Sequence, residues 1–430
     1  MTRSVKSDPN SESDLFHRQR ERLFFTWSVQ AEVTPLEIID AGGARFKTAV
    51  HGWLWDLESQ VYNVSAGHRV RHIQERMIAQ IQSLPAAAPN AILPIRAELG
   101  ELLRTHTGLH RAFLTTGGSE ANENAIKIAR LVTGRSKVIT RRSSYHGATL
   151  AILGMAGDDR NLPFAADLAP AIHIEDPYPL PATEPGEPSA WVRSLEAVLL
   201  REGPETIAAI LLEGFTGANG MQVPPPDFWP RVRELCDAHG ILLIDDEIFS
   251  GFGRTGCWFA CDRWGVRPDI MTLGKALTSG YAPLAAVCVS KPIADHFDDR
   301  ERHNKLWCGL TTYAHPVSCA AAVGALEVYA RDDLPGNAER VGEVFAEHLE
   351  QLRKRPALRG LIRDHRGFGL MRLLELDRPA QAVAALGLAH GLYIPTKGNT
   401  VLLCPPLCLL AEEADRIATA LGETLEAFVS

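Results

Sequence analysis

Lys275 follows an apolar run and a glycine in Pro268-Asp269-Ile270-Met271-Thr272-Leu273-Gly274-Lys275. Such a run predicts a buried strand, and open α/β sheets bind ligands outside the carboxyl ends of their strands. An amine placed there enters a cleft, where it can form a Schiff base with a carbonyl group. Asp245-Asp246-Glu247 ends the preceding apolar run, Ile241 to Ile244, and brings carboxylates to the same edge. A carboxylate in that position can keep a pyridine nitrogen protonated.

A glycine turn precedes both in Thr116-Gly117-Gly118-Ser119-Glu120-Ala121. Where such a turn opens a helix it leaves backbone N–H groups free and adds the positive end of the helix dipole, which suits a phosphate. The same pattern also fits a plain helix cap at Ser119. Tyr145-His146-Gly147 lies a few residues past the next strand and offers a ring able to stack on a flat molecule. A strand-end lysine, a strand-end aspartate, a phosphate turn and an aromatic are together the needs of pyridoxal phosphate chemistry.

Gly251-Phe252-Gly253-Arg254-Thr255-Gly256 also matches the dinucleotide fingerprint G-x-G-x-x-G, the pattern of an NAD-dependent oxidoreductase. That fingerprint needs its first glycine directly after a strand and a helix opening on the third. Here Asp245 to Ser250 intervene and Gly256-Cys257-Trp258-Phe259-Ala260 follows.

These residues need a scaffold that lines up strand ends. Ala121, Ala125, Ile128, Ala129 and Val132 form one apolar face of a helix, capped by Ser119 and ended by Gly134. Strands are expected at Lys137–Thr140, Ile207–Leu212, Ile241–Ile244, Ile270–Leu273 and Leu284–Val289, with helices at Trp191–Arg201 and Phe228–His239. The alternation predicts an α/β fold with a mostly parallel sheet. Tyr178 to Pro188 is a Pro-rich surface excursion, Val317 to Ala330 a long helix leaving the central domain, and residues 1–15 a disordered tail.

The chain has 430 residues, 46% of them hydrophobic, enough for a large core. A net charge of −8 gives no general pull toward nucleic acid or anionic membrane. No window offers a spanning apolar segment or an apolar signal core, so a cytoplasmic location is expected. Cys257/Cys261 and Cys404/Cys408 have the wrong spacing for zinc, so the eight cysteines read as free thiols and no metal is expected.

From about Phe24 to Leu407 the chain resembles the class III (ω-)aminotransferases, fold type I pyridoxal phosphate enzymes. The likeness rests on Gly118 to Ala125, Tyr145-His146-Gly147, Asp246-Glu247 with Gly251 to Gly256, Pro268 to Lys275, Thr311 with His315-Pro316, and Pro405-Pro406. It implies a large domain with a mostly parallel central sheet (66–325) and a smaller α+β domain (326–430), against which an N-terminal segment (16–65) packs. It implies further that Lys275 forms the Schiff base and moves the proton between substrate carbon and cofactor, and that Asp246 holds the ring nitrogen. Gly118 and Ser119 would bind the phosphate, Tyr145 and Ile248 would sandwich the ring, and His146 and Glu213 would border it. Thr311 would come from a neighbouring subunit, which makes a homodimer the expected assembly. The implied reaction passes an amino group from a primary amine donor to a keto acid by a ping-pong route. Aminomutases, epimerases and a few decarboxylases share the scaffold.

Two departures stand out. Gly214 follows Glu213 where the family has proline, and Pro395 stands where many relatives carry an arginine for the substrate carboxylate. Lys397, two positions on, is a point charge and lacks the guanidinium fork. Phe25, Trp27 and Tyr62 fall where the family lines its substrate pocket. The stretch from Phe24 to Gln30, with Ser59-Gln60 and Asn63, is most similar to the subgroup handling taurine and other ω-amines.

Overall fold

A computed structural model describes residues 14–157, 159–168, 171–217 and 219–430. Most of the expected tail therefore lies outside the described residues, and Asp14 and Leu15 open the helix Asp14–Arg20.

Seven strands form the central sheet in the order Arg111–Thr115, Ala285–Val289, Ile270–Leu273, Leu242–Asp246, Ile207–Glu213, Lys137–Arg141, Ile172–Ile174. Ala285–Val289 runs antiparallel to both its neighbours, and the other pairings are parallel. The strands are nearly continuous apolar runs because both faces are covered. On one face, Ala121, Ala125, Ile128 and Ala129 of the helix Gly118–Thr133 pack against Ala209, Leu211, Ile244 and Val287. On the other, the helices Ala190–Glu202 and Phe228–His239 bring Trp191, Val198, Phe228 and Val232 against Ile210, Leu212 and Leu243.

Register decides what faces the cleft. Glu213 pairs with Asp246, and Asp246 with Thr272, so these three form a row across adjacent strand ends. Side chains alternate along a strand, so Asp246 points to one face and its neighbours Asp245 and Glu247 to the other.

Two smaller sheets escaped the pattern of apolar runs. Ile38–Gly42, Arg45–Thr48 and Gly52–Asp56 are joined by Leu392–Tyr393, which pairs in parallel with Trp55 and Asp56. Ile362–Phe368, Met371–Leu376, Thr400–Leu403 and Thr396–Lys397 make the other. The helix Pro316–Arg331 is buried along most of its length and runs continuously across the expected boundary at 325.

Candidate active site

Five strand ends surround one cavity of about 480 Å³. Thr116 to Ser119, Tyr145 to Gly147, Glu213, Asp246 and Lys275 all line it, each just after or at the end of a different parallel-running strand.

Asp246 is the most constrained group. Its Oδ2 accepts from Asn122 Nδ2 at 2.7 Å and faces His146 Nδ1 at 2.7 Å, while Oδ1 accepts from the Ile248 N–H at 3.0 Å. Asn122 is itself held by Thr272 Oγ1 at 2.6 Å, and His146 Nε2 lies 3.1 Å from Thr140 Oγ1. Asn122 and His146 are thus each anchored by a second bond, which fixes the carboxylate before any ligand arrives. Asn122 was not singled out from the sequence as a site residue. Its one signal was a polar side chain on the apolar face of a helix.

Lys275 has φ +42, a left-handed conformation that a non-glycine residue holds only when its surroundings impose it. Its Nζ lies 4.7 Å from the Phe249 ring centroid and 5.6 Å from that of Tyr62. Burial pushes the amine below its usual value, opposed by Asp246 and Glu213. A neutral amine is the nucleophilic form.

The phosphate turn differs from expectation in one detail. Gly117 caps the helix Gly118–Thr133, and Ser119 sits inside its first turn with Oγ accepting from the Ala148 N–H at 3.0 Å. Ser119 is therefore no cap, although it still lines the cavity. The space a side chain on Gly117 would fill is open, while a Cβ on Gly118 would stand 2.8 Å from Ile248 Cδ1. At Gly147, with φ +144, a Cβ would reach within 2.3 Å of Ser119 Oγ.

Glu213 ties two loops together. One oxygen accepts from the Tyr145 N–H and the other from the Gly217 N–H, both at 2.7 Å. Burial raises its carboxyl above the usual range. The glycine after it has a steric cause: a Cβ at Gly214 would lie 2.5 Å from Glu247 Oε1 and 3.0 Å from Asp245 Oδ1. The two buried carboxyls occupy the room a proline would need.

The segment Gly251 to Gly256 forms turns, and the next helix is the short Cys261–Trp264. Its Arg254 is fully buried and donates to Leu370 O, Pro405 O and Ser65 Oγ, clamping three distant segments. Gly253 and Gly256 have φ +95 and +89, and a Cβ on either would strike the helix Leu334–Lys354. The glycine pattern is a packing device.

Four expected pocket residues, Phe25, Trp27, Tyr62 and Lys397, are not among those lining the cavity, and neither is Thr311. Tyr62 is buried behind Phe249, ring centroids 4.2 Å apart. Trp27 is 64% exposed and meets Tyr145 edge to face at 6.4 Å. Phe25 packs near Phe16, and Lys397 is exposed. Thr311 is exposed, away from its own chain's cavity. Val61, Asn63, Thr278, Gly280 and Pro283 line it instead.

The donor set fits pyridoxal phosphate. First-turn N–H groups beside an open glycine would suit a phosphate, Ile248 and Tyr145 would hold a ring, and Asp246 would face a pyridinium nitrogen.

The class-III aminotransferase family model matches residues 28–425. The chain is 33% identical to an acetylornithine aminotransferase of Methanothermobacter thermautotrophicus, over 86% of this chain and 91% of that protein. It is 30% identical to an omega-aminotransferase of Caulobacter vibrioides, over 91% and 93%. Among solved structures, the taurine:2-oxoglutarate aminotransferase of Bifidobacterium kashiwanohense, in complex with pyridoxal phosphate and glutamate, superposes with a TM-score of 0.89 at 30% identity, covering 96% of both chains.

Proposed function

We infer the reaction from the premise that the chain belongs to the class-III aminotransferase family. It is a pyridoxal phosphate-dependent aminotransferase with the fold type I architecture, acting on an amine donor and a keto acid. Bound pyridoxal phosphate supplies an aldehyde that takes up amines and a protonated ring that accepts the electron pair released at the substrate carbon.

The roles of the individual residues are our proposal. Lys275, whose amine burial pushes below its usual value, would serve as the nucleophile and carry the proton on Nζ as acid and base. Asp246 keeps the ring nitrogen protonated, with Asn122, His146 and the Ile248 N–H orienting its carboxylate. Gly118 and Ser119 bind the phosphate, Tyr145 and Ile248 hold the ring, and Glu213 positions Tyr145. The observation that carries the reading is the Asp246 carboxylate, held by Asn122, His146 and the Ile248 N–H in the same cavity as the half-buried Lys275.

We further propose a homodimer in which Thr311 completes the partner's phosphate site, cytoplasmic residence, and ω-amine donors of the kind named for the taurine enzyme. Among the described residues no helix is long and apolar enough to cross a membrane. The test of the reaction is spectroscopic: protein loaded with pyridoxal phosphate is expected to be yellow, to bleach with a primary amine and to recover with a keto acid. A protein that gains no visible absorbance from the cofactor would sink the proposal.

A further inference from the structure

Phe249 lines the cavity and holds its ring centroid 4.7 Å from Lys275 Nζ, yet the chemistry above gives it no part. The ring is half-buried, with one side toward the cavity and the rest in the protein. Behind it stands Tyr62, ring centroids 4.2 Å apart, in a buried cluster with Leu373, Leu402 and Cys404. Along its edge runs the loop after Glu213. A Cβ at Gly217 would lie 2.1 Å from Phe249 Cδ1 and 2.7 Å from Cε1, so the loop comes this close because it has a glycine there.

That loop is itself fixed. The Gly217 N–H donates to Glu213 at 2.7 Å, and the Gly217 carbonyl accepts from the Met221 N–H at 3.2 Å. A ring wedged between a buried cluster and a pinned backbone cannot swing aside without opening both. It is a wall, and it stands where space is short. A donor's amine must reach the same aldehyde carbon that Lys275 Nζ attacks, so the carbon bearing that amine enters the space beside the ring. The cavity of about 480 Å³ has to take cofactor and donor together. Pockets for a single ligand run from about 300 to 1,000 Å³, so little room is left over.

We propose that Phe249 sets the donor selectivity of this enzyme. Resting on the aminotransferase reading, the wall admits amines of the form R–CH2–NH2, which leave as aldehydes. It rejects amines whose nitrogen-bearing carbon carries a second carbon substituent. Phe249 neither gives nor takes a proton; it acts by the volume it denies to the donor.

The test compares bleaching of the loaded enzyme by butylamine with bleaching by each enantiomer of sec-butylamine, which has the same atoms but a branch at the reacting carbon. Wild type is expected to favour butylamine, and Phe249→Ala to raise the rate ratio of sec-butylamine to butylamine about 10–100-fold. Phe249→Leu keeps much of the packing against Tyr62, should fall between the two, and carries the test should the alanine variant fail to fold. A second readout needs neither cofactor nor turnover. In cofactor-free protein Lys275 Nζ condenses with butanal or butanone, losing water; cyanoborohydride then gives a hydride to the carbon of the C=N bond and water a proton to its nitrogen. The mass of the peptide carrying Lys275 reports the secondary amine formed, and the ratio of butanone to butanal label should rise in Phe249→Ala by a similar factor. Ratios unchanged in the folded variants, or a wild type that treats the two amines alike, overturn the wall. Wild type bleached by none of these amines overturns the aminotransferase reading instead, and the labelling ratio still decides the wall.

Discussion

At the scale of single residues, Asp245 is the least expected group. Both its oxygens are buried, beside the Glu247 carboxyl and the Cys261 thiol. Burial and the adjacent Glu247 raise its carboxyl well above the usual range, and Glu247 is itself raised to about 7. Carboxyls raised on folding are ionised more readily in the unfolded chain, so the native state loses stability as pH climbs from the ordinary carboxylate range toward 7. Asp245→Asn removes one of the two ionisations and can donate to Glu247. Its stabilising effect should be small near pH 4 and grow to the order of 1–3 kcal/mol by pH 8, read from denaturation midpoints across that range. A gain independent of pH would count against a titrating pair. Gly214→Ala should act oppositely, costing about 1–3 kcal/mol by forcing a methyl against Glu247 Oε1. Asp246→Asn removes the charge opposite the ring nitrogen and should lower kcat by about 10²–10⁴-fold, while unchanged turnover would remove Asp246 from the mechanism. Lys275 and Asp246 were legible in the sequence because strand ends announce themselves as apolar runs that stop. Asn122 and the steric reason for Gly214 were not, because each depends on partners that only the fold brings close: Asp246 and Thr272 for Asn122, Glu247 and Asp245 for Gly214.

At the scale of elements, the central strands were readable and the turn that shapes the cavity floor was not. Ser59, Gln60, Val61 and Tyr62 all have positive φ, between +49 and +62, and the Tyr62 and Asn63 N–H groups bond back to the Glu58 and Ser59 carbonyls. This is one turn of left-handed helix built without glycine, which costs about 1–2 kcal/mol per residue. The chain holds it from outside: Asp56 accepts from the Glu58 and Gln60 N–H groups, and Ser59 Oγ donates to Cys404 O. Nothing in Ser-Gln-Val-Tyr signals such a conformation, since the usual marker is glycine or asparagine. The turn brings Val61 and Asn63 to the cavity and Tyr62 behind Phe249. Val61 is 62% exposed, so Val61→Gly loses little packing and relieves a β-branched residue at φ +61. The variant should be more stable by about 0.5–1 kcal/mol, after the entropy lost by glycine is deducted. A lower denaturation midpoint would show that the turn is not strained.

At the scale of the whole molecule, the proposed homodimer implies that a single chain leaves its site unfinished. Thr311, matched to the family's phosphate-binding threonine, is exposed, and large apolar side chains lie open to solvent. Ile92 is 98% exposed, Phe24 92% and Trp307 62%. Scattered apolar residues are ordinary on a surface, but Trp307 stands four residues from Thr311, where a partner would cover both. We propose accordingly that the 16–65 segment and the C-terminal sheet form one unit, joined by the pairing of Leu392–Tyr393 with Gly52–Asp56, and that the central sheet forms a second unit that dimerises. Wild type should then elute with about twice the 47.0 kDa of one chain. A glutamate at an interface loses the tryptophan's contact area and buries a charge, so Trp307→Glu should shift the protein toward the monomer. Cofactor affinity should fall in parallel, because the phosphate site would lose the partner's threonine. Thr311→Ala separates the two effects: it should weaken cofactor binding, measured by dialysis and absorbance, while the dimer persists. A monomeric wild type that holds the cofactor as tightly as any variant would end the shared-site proposal.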